Sequence, residues 1–240
     1  MKIQVIGSGS MWTKYNSACY LIDDKIMVDF PNGTCKYLYR LDIIPNTIDN
    51  IVLTHFHGDH YFDIPFYLLN KSKSENKNVN IFCSKEGKSK INKIGNLAFP
   101  NSFKDACNSL NLKYCSNVNF IIDEYKVKRL LVDHGRMKPA FGYIFSKDDI
   151  FVGFTGDTSL CESVELLSAK CCYLFCDCML INGNGKHQGI DNLEYLSKKY
   201  PNCTFVVSHL EDDTRKKLEK MKIKNIIVPN DGQIINIWLK

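Results

Sequence analysis

The run Thr54-His55-Phe56-His57-Gly58-Asp59-His60 puts three imidazoles and a carboxylate within six consecutive positions, directly after the apolar stretch Asn50-Ile51-Val52-Leu53. Crowding such groups at the end of a buried strand is costly unless they share a partner. A divalent metal is the natural partner. Imidazole nitrogen and carboxylate oxygen suit zinc or a similar first-row ion, and catalytic sites keep one coordination position open for water. A solvent loop that happens to be rich in histidine is the competing reading, but the rest of the chain completes the same pattern. His134, Asp157 and His209, like His55, each lie just beyond an apolar run. Strand ends of packed sheets project into a common rim, so these distant residues can converge. Asp157 stands in Gly156-Asp157-Thr158, where glycine allows close backbone approach and the carboxylate can bridge two ions.

The elements that must carry these residues are legible in outline. Alternation and turn residues predict strands over 3–6, 18–22, 25–30 and 51–54, then helix over 61–70, strand over 79–83 and helix over 85–97. Residues 99–117 give no clear reading. A second series with a similar rhythm predicts strands over 120–125, 128–132, 140–145, 150–155, 172–178 and 204–207. Helices are expected over 160–169, where Ser159 and Glu162 have capping-box spacing, over 191–200 from Asp191, and over 214–221. Residues 225–239 return to strands around the Asp231-Gly232 turn. Strands mixed with helices in this way point to an α/β protein, a four-layer αββα sandwich spanning residues 1–240 as one domain.

Composition bounds the setting. The chain has 240 residues, 45% hydrophobic and 24% charged, as in ordinary globular proteins. Neither the start Met-Lys-Ile-Gln-Val-Ile nor any later run reaches the length of a signal-peptide core or a membrane span. The 11 cysteines are odd in number and several lie in apolar runs, which suggests reduced thiols in a cytoplasm. A cysteine-bound zinc in Cys171–Cys178 is disfavoured, because alternating strand side chains would split the thiols between two faces. The net charge of +5 is modest. Lysines cluster between Lys71 and Lys93, either as a solvated surface or as a basic rim attracting a phosphate-bearing substrate.

The order His-x-His-x-Asp-His, distant His, Gly-Asp-Thr and final Ser208-His209 resembles the metallo-β-lactamase superfamily across nearly the whole chain. The resemblance implies that His55, His57 and His134 hold one ion, that Asp59, His60 and His209 hold a second, and that Asp157 bridges them. It further implies two divalent cations, zinc or alternatively manganese, with a metal-bridging hydroxide as nucleophile and Asp59 also orienting it.

His187 lies in Gly183-Asn184-Gly185-Lys186-His187-Gln188-Gly189, between the Asp157 and His209 segments. Its placement resembles the RNase Z-like phosphodiesterase branch, where such a histidine assists at the scissile phosphate. Asp177 matches an acidic position that would hold its imidazole. The Gly-Ser-Gly start, Asn16-Ser17 and Val28-Asp29 also look like that branch, although Pro31 departs from its usual run. Only 22 residues separate His134 from Asp157, too few for the arm with which tRNA-processing members clamp tRNA. The resemblance therefore favours the compact members, which include phage and bacterial phosphodiesterases that degrade cyclic nucleotide immune signals and are often homodimers. The alternatives are an RNase Z-type tRNA 3′-processing endonuclease with an arm from residues 71–117 or a partner subunit, and a thioester or lactone hydrolase.

Overall fold

The computed structural model describes residues 1–238. The first half of the chain contains β1 (Lys2–Gly7), β2 (Cys19–Ile22), β3 (Ile26–Val28), α1 (Thr34–Arg40), β4 (Asn50–Val52), α2 (Gly58–Tyr61), α3 (Ile64–Lys71), β5 (Asn78–Phe82), α4 (Gly87–Ala98), α5 (Ser102–Asn108) and β6 (Asn111–Cys115). The second half contains β7 (Asn119–Ile122), β8 (Tyr125–His134), β9 (Met137–Lys147), β10 (Ile150–Phe154), α6 (Glu162–Lys170), β11 (Tyr173–Asp177), α7 (Ile190–Lys199), β12 (Thr204–Ser208), α8 (Asp212–Met221), β13 (Ile226–Ile227) and β14 (Ile234–Asn236).

The strands form two sheets, ordered β14-β1-β2-β3-β4-β5-β6 and β13-β12-β11-β10-β9-β8-β7. Each has an antiparallel part and a parallel part. The change falls at β3 in the first sheet and at β10 in the second. Strands in the middle of the sheets are buried on both faces, which explains their unbroken apolar runs. In β2, Tyr20 and Ile22 face the space between the sheets, whereas Cys19 and Leu21 pack under the helices of the first half. A third cluster, including Leu174, Leu193 and Phe205, fills the space between the second sheet and its helices. The result is the αββα layering. No helix of the described residues is long and apolar enough to cross a membrane.

Several local expectations are corrected. The predicted 61–70 helix is broken into α2 and α3, and α3 extends to Lys71. Lys71 is not a surface lysine. It is fully buried, with Nζ 2.5 Å from both Asp49 Oδ1 and the Asn46 carbonyl oxygen. Residues 99–117 form α5 and β6, with Phe103 in the core. The capping box at Ser159 is absent: α6 starts after Cys161, and Ser159 Oγ donates to the Asp133 carbonyl instead. At α7 the cap is Gly189, whose N–H donates to Asn192 Oδ1, while Asp191 accepts from Gly183 N–H. Strands do flank the Asp231-Gly232 turn, β13 joining the second sheet and β14 the first; Leu239 lies outside the described residues.

One tie steadies the loop that opens beside the site. Asp231, in the turn before β14, accepts from Ser8 N–H (3.0 Å), Ser8 Oγ (2.7 Å) and Asn16 N–H (2.7 Å). Ser8 is fully buried in this arrangement, and Asp231 is half-buried. Asp231→Ala is expected to lower stability by about 1–3 kcal/mol, the cost of leaving such donors unpaired. Urea denaturation checks this, and an unchanged midpoint would show that the tie contributes nothing.

Candidate metal centre

The sequence-predicted residues converge where strands of both sheets end. Thr54 and His55 follow β4, His134 ends β8, Asp157 follows β10, Asp177 ends β11, and His209 follows β12. Asp59 and His60 sit in the first turn of α2. The carboxyl ends of parallel strands are the usual place for ligands in α/β proteins. Gly156 has φ +60°, and a Cβ there would come within 2.7 Å of Thr54 Cβ, so only glycine lets the Asp157 turn approach the β4 end this closely. His209 itself has φ +57°, a left-handed conformation that is strained for histidine.

Two sets of ligand-type atoms result: His55, His57, His134 and Asp157, and Asp59, His60 and His209. Asp157 Oδ2 lies between them. It is 3.8 Å from His55 Nε2, 3.9 Å from His134 Nε2, 3.3 Å from His60 Nε2 and 3.1 Å from His209 Nε2. His209 Nε2 is also 3.4 Å from Asp59 Oδ2. Asp157, His187 and His209 form a further close group, with the His187 ring stacked on that of His209 at 5.1 Å between centroids. His187 Nδ1 and Asp177 Oδ2 are 2.8 Å apart. Asp177 also accepts from Thr158 N–H (3.0 Å) and Met179 N–H (3.0 Å), which fixes its carboxylate.

The donor set fits divalent ions, and the hydrogen bonding around it shows why. His55 Nδ1 is 3.0 Å from Thr54 Oγ1, which itself donates to Asp29 Oδ2 at 2.7 Å. His60 Nδ1 lies 2.8 Å from the same Asp29 oxygen, and His134 Nδ1 donates to the Lys186 carbonyl at 2.9 Å. With Nδ1 committed, each of these rings turns Nε2 to the centre. His57 Nδ1 then stands 3.0 Å from His55 Nε2 and 3.1 Å from His134 Nε2. Three nitrogen lone pairs cannot satisfy one another at that spacing; a cation satisfies all of them. Buried Asp59 Oδ1 and His60 Nε2, which face the centre, make no hydrogen bond, which is expensive unless something else binds there.

Asp29, Thr54 and Lys186 act here through the ligands, and sequence reading assigned them no role. Asp29 ends an apolar strand before a turn, as the ligands do, which was its available signal. The Lys186 contribution is a backbone carbonyl and leaves no trace in residue type. In the lysine-rich stretch, Lys90 Nζ lies 4.9 Å from the centroid of Phe56, inside the histidine motif. The cysteines are all free, and none belongs to a metal-type group among the described residues.

Burial and close pairing shift these groups in opposite directions. At Asp157, burial would raise the pKa, but His209 and His60 hold it well below the carboxylate range. At His60, burial opposes protonation, yet Asp157 and Asp29 outweigh it and the pKa rises. His209 follows the same balance, burial being overcome by Asp157 and Asp59, and reaches about 9. Burial and His60 push His55 well down, and burial with His134 lowers His57.

The sequence model of the Anti-Pycsar protein Apyc1 matches residues 1–231. The chain belongs to this family. Apyc1-family membership agrees with similarity to ribonuclease Z: the Pyrococcus horikoshii protein is 32% identical over 124 residues, 52% of this chain and 39% of its own length. Ribonuclease Z of Methanococcus maripaludis strain C7 is 29% identical over 154 residues, covering 61% of this chain and 49% of the relative. The chain thus spans less than half of either curated relative. Human tRNase Z, short form, has a similar structure over 100% of both chains, with TM-score 0.76 and 17% identity. YhfI from Bacillus subtilis, a metallo-β-lactamase fold protein, gives TM-score 0.76 and 16% identity over 98% of both chains. A diphosphatase of the PhnP family gives 0.75 and 17%, over 99% of this chain and 98% of the other. These likenesses establish the metallo-β-lactamase fold for this Apyc1-family chain.

With His60 and His209 raised above 6.5, the metal-free cluster carries protons at neutral pH. Metal binding must displace them, so affinity for zinc or manganese should rise as pH climbs from 6.5 toward 9. The same shifts stabilise the metal-free fold below pH 6.5, and the contribution of His209 is lost as pH rises through about 9. Titration calorimetry at pH 7 in two buffers of different ionisation enthalpy should register proton release. Heats that do not depend on the buffer would show that the histidines are already neutral.

Proposed function

We propose that the chain is a dinuclear metal-dependent phosphodiesterase acting on small cyclic phosphodiesters such as cyclic mononucleotides. The observation that carries this reading is the pair of ligand sets meeting at Asp157 Oδ2, with the His187–Asp177 pair beside them. In this reading His55, His57 and His134 hold one ion, Asp59, His60 and His209 the other, and Asp157 is shared. All-nitrogen-and-oxygen donors suit zinc first and manganese second. Bound ions would acidify water at neutral pH and neutralise charge growing on a phosphoryl oxygen.

The chain's own residues supply the rest. Asp177 engages His187 Nδ1, so Nε2 is the nitrogen left to face a substrate. Burial opposes protonation of His187, but the hydrogen bond and charge of Asp177 outweigh it and raise its pKa, favouring a ring that carries a proton on Nε2. That proton is suited to a leaving ribose oxygen, which gives His187 the role of general acid. The Asp59 carboxylate has one oxygen toward His209 and the other unpartnered, free to orient the attacking water.

The family match and the names of the ribonuclease Z and PhnP relatives support a phosphate ester as substrate. A small one is favoured because β8, β9 and β10 follow one another through short turns at Gly135–Arg136 and Asp148–Asp149, leaving no arm between His134 and Asp157. Similarity to ribonuclease Z keeps tRNA 3′-end processing as a second reading. Since residues 78–115 fold as β5, α4, α5 and β6, an RNA clamp would then come from a partner subunit. A homodimer in a reducing cytoplasm, with exposed Phe62 and Phe66 at its interface, belongs to the main reading.

The test is a screen of zinc- and manganese-loaded protein against cyclic mononucleotides, bis-p-nitrophenyl phosphate and a precursor tRNA. Cyclic nucleotide turnover with intact tRNA, abolished in Asp157→Ala, is the expected result. Cleaved tRNA alone would replace it with the endonuclease reading, and silence on all phosphodiesters would point to thioesters or lactones. His187→Ala should lower kcat by roughly 10²- to 10⁴-fold with metal content unchanged. Metal loss in that variant would instead make His187 a ligand.

A further inference from the structure

Residues Ser10–Thr13 form a turn in which Thr13 N–H and Oγ1 both donate to the Ser10 carbonyl, at 3.4 and 3.1 Å. Its two corner positions are Met11 and Trp12, which are 49% and 84% exposed. Corners of turns favour Gly, Pro, Asn, Asp and Ser, each for a reason of backbone geometry or local hydrogen bonding. Neither methionine nor tryptophan meets such a need. Holding a large ring in water here stabilises nothing in the fold.

The turn is nevertheless held firmly, and held against the site. Ser10 N–H donates to the Leu210 carbonyl (3.1 Å) and Leu210 N–H to the Ser8 carbonyl (3.2 Å), which joins the loop to the residue after His209. Behind it, the Arg215 guanidinium lies 3.8 Å from the centroid of Tyr15 and donates to Ser8 Oγ (2.7 Å) and the Pro229 carbonyl (2.8 Å). Arg215 is only 3% exposed, so a buried cation is spent on fixing this loop. Two residues of chain reach no more than about 7 Å, so the Trp12 backbone stays close to the His209 strand end.

We propose that Trp12, supported by Met11, is a substrate-recognition residue that receives the flat face of the heterocyclic base of a nucleotide. This rests on the phosphodiesterase reading for its place in catalysis. Indole offers a broad π-surface to any base, and a rigid aromatic loses little conformational freedom on binding. A platform at the rim would select nucleotides over phosphodiesters without a base, while leaving the metal ligands untouched.

The chain has two tryptophans, Trp12 and Trp238, so Trp238→Phe leaves Trp12 as the sole indole reporter. Nucleoside monophosphate added to that metal-loaded variant should quench its fluorescence, whereas ribose 5-phosphate should not. In steady-state assays, Trp12→Ala should raise KM for cyclic nucleotides roughly tenfold to a hundredfold, with kcat little changed. Trp12→Phe should recover most of the loss, and turnover of a cyclic ribose phosphate without a base, followed by phosphorus NMR, should be unaffected. Absence of quenching, or equal losses on both substrates, would overturn the proposal. So would a shift from dimer to monomer on sedimentation with KM unchanged, which would assign the tip to a second copy of the chain. Quenching without hydrolysis of any diester would overturn the phosphodiesterase reading and leave base recognition standing.

Discussion

One buried carboxylate oxygen, Asp157 Oδ2, lies within 4 Å of four imidazole nitrogens. Without a cation, Asp157 draws the pKa of His60 and His209 upward, while burial and neighbouring imidazoles push those of His55 and His57 down. Such an arrangement is poor as a structural device. Hydrogen bonds do not complete it, and buried polar atoms remain unpaired. A cation would satisfy these lone pairs together, and the contacts behind them keep the lone pairs aimed at one place.

The aiming is done from behind. Asp29 receives Thr54 N–H, Thr54 Oγ and His60, so one carboxylate governs the β4 strand end and ligands on either side of it. Asp29 has φ +60° and His209 φ +57°, two non-glycine residues in a conformation that costs energy. Both stand where a strand must stop and present a side chain sideways to the rim. Strain at these two points is consistent with a frame whose stability is partly sacrificed to ligand direction. The Lys186 carbonyl on His134 does the same work from the loop that also carries His187.

How much of this could be read from sequence depended on range. The ligand types were legible because four of them are packed into six positions and the others follow apolar runs. The supporting contacts were not. Asp29 and His60 are 31 residues apart, and the His134 partner is a main-chain atom. The strands were legible because alternation is local, including those on either side of the Asp231-Gly232 turn, but nothing local showed that β13 and β14 belong to different sheets. Lys71 read as solvated because lysine usually is; the Asp49 carboxylate and a carbonyl oxygen overrode that tendency. The cap assigned to Ser159 failed for a similar reason, since tertiary contact with Asp133 offered its hydroxyl a better partner.

The division of the centre between the two halves of the chain has a consequence for folding. Residues preceding β5 contribute His55, His57, Asp59 and His60, and those following β7 contribute His134, Asp157, Asp177, His187 and His209. Each ligand set takes members from both sides. The sheets already share an apolar interior, where Tyr20 packs against Phe154 and Phe175 and its hydroxyl donates to Ser208. A cation bound by either set would therefore clamp one sheet to the other at the rim, and its binding free energy would add to the stability of their packing. Opening the sandwich would expose every ligand at once and lose the ion. A metal held by these groups would thus join the two halves of the chain at the rim, and in the proposed reading catalysis and cohesion of the two sheets would draw on one set of side chains.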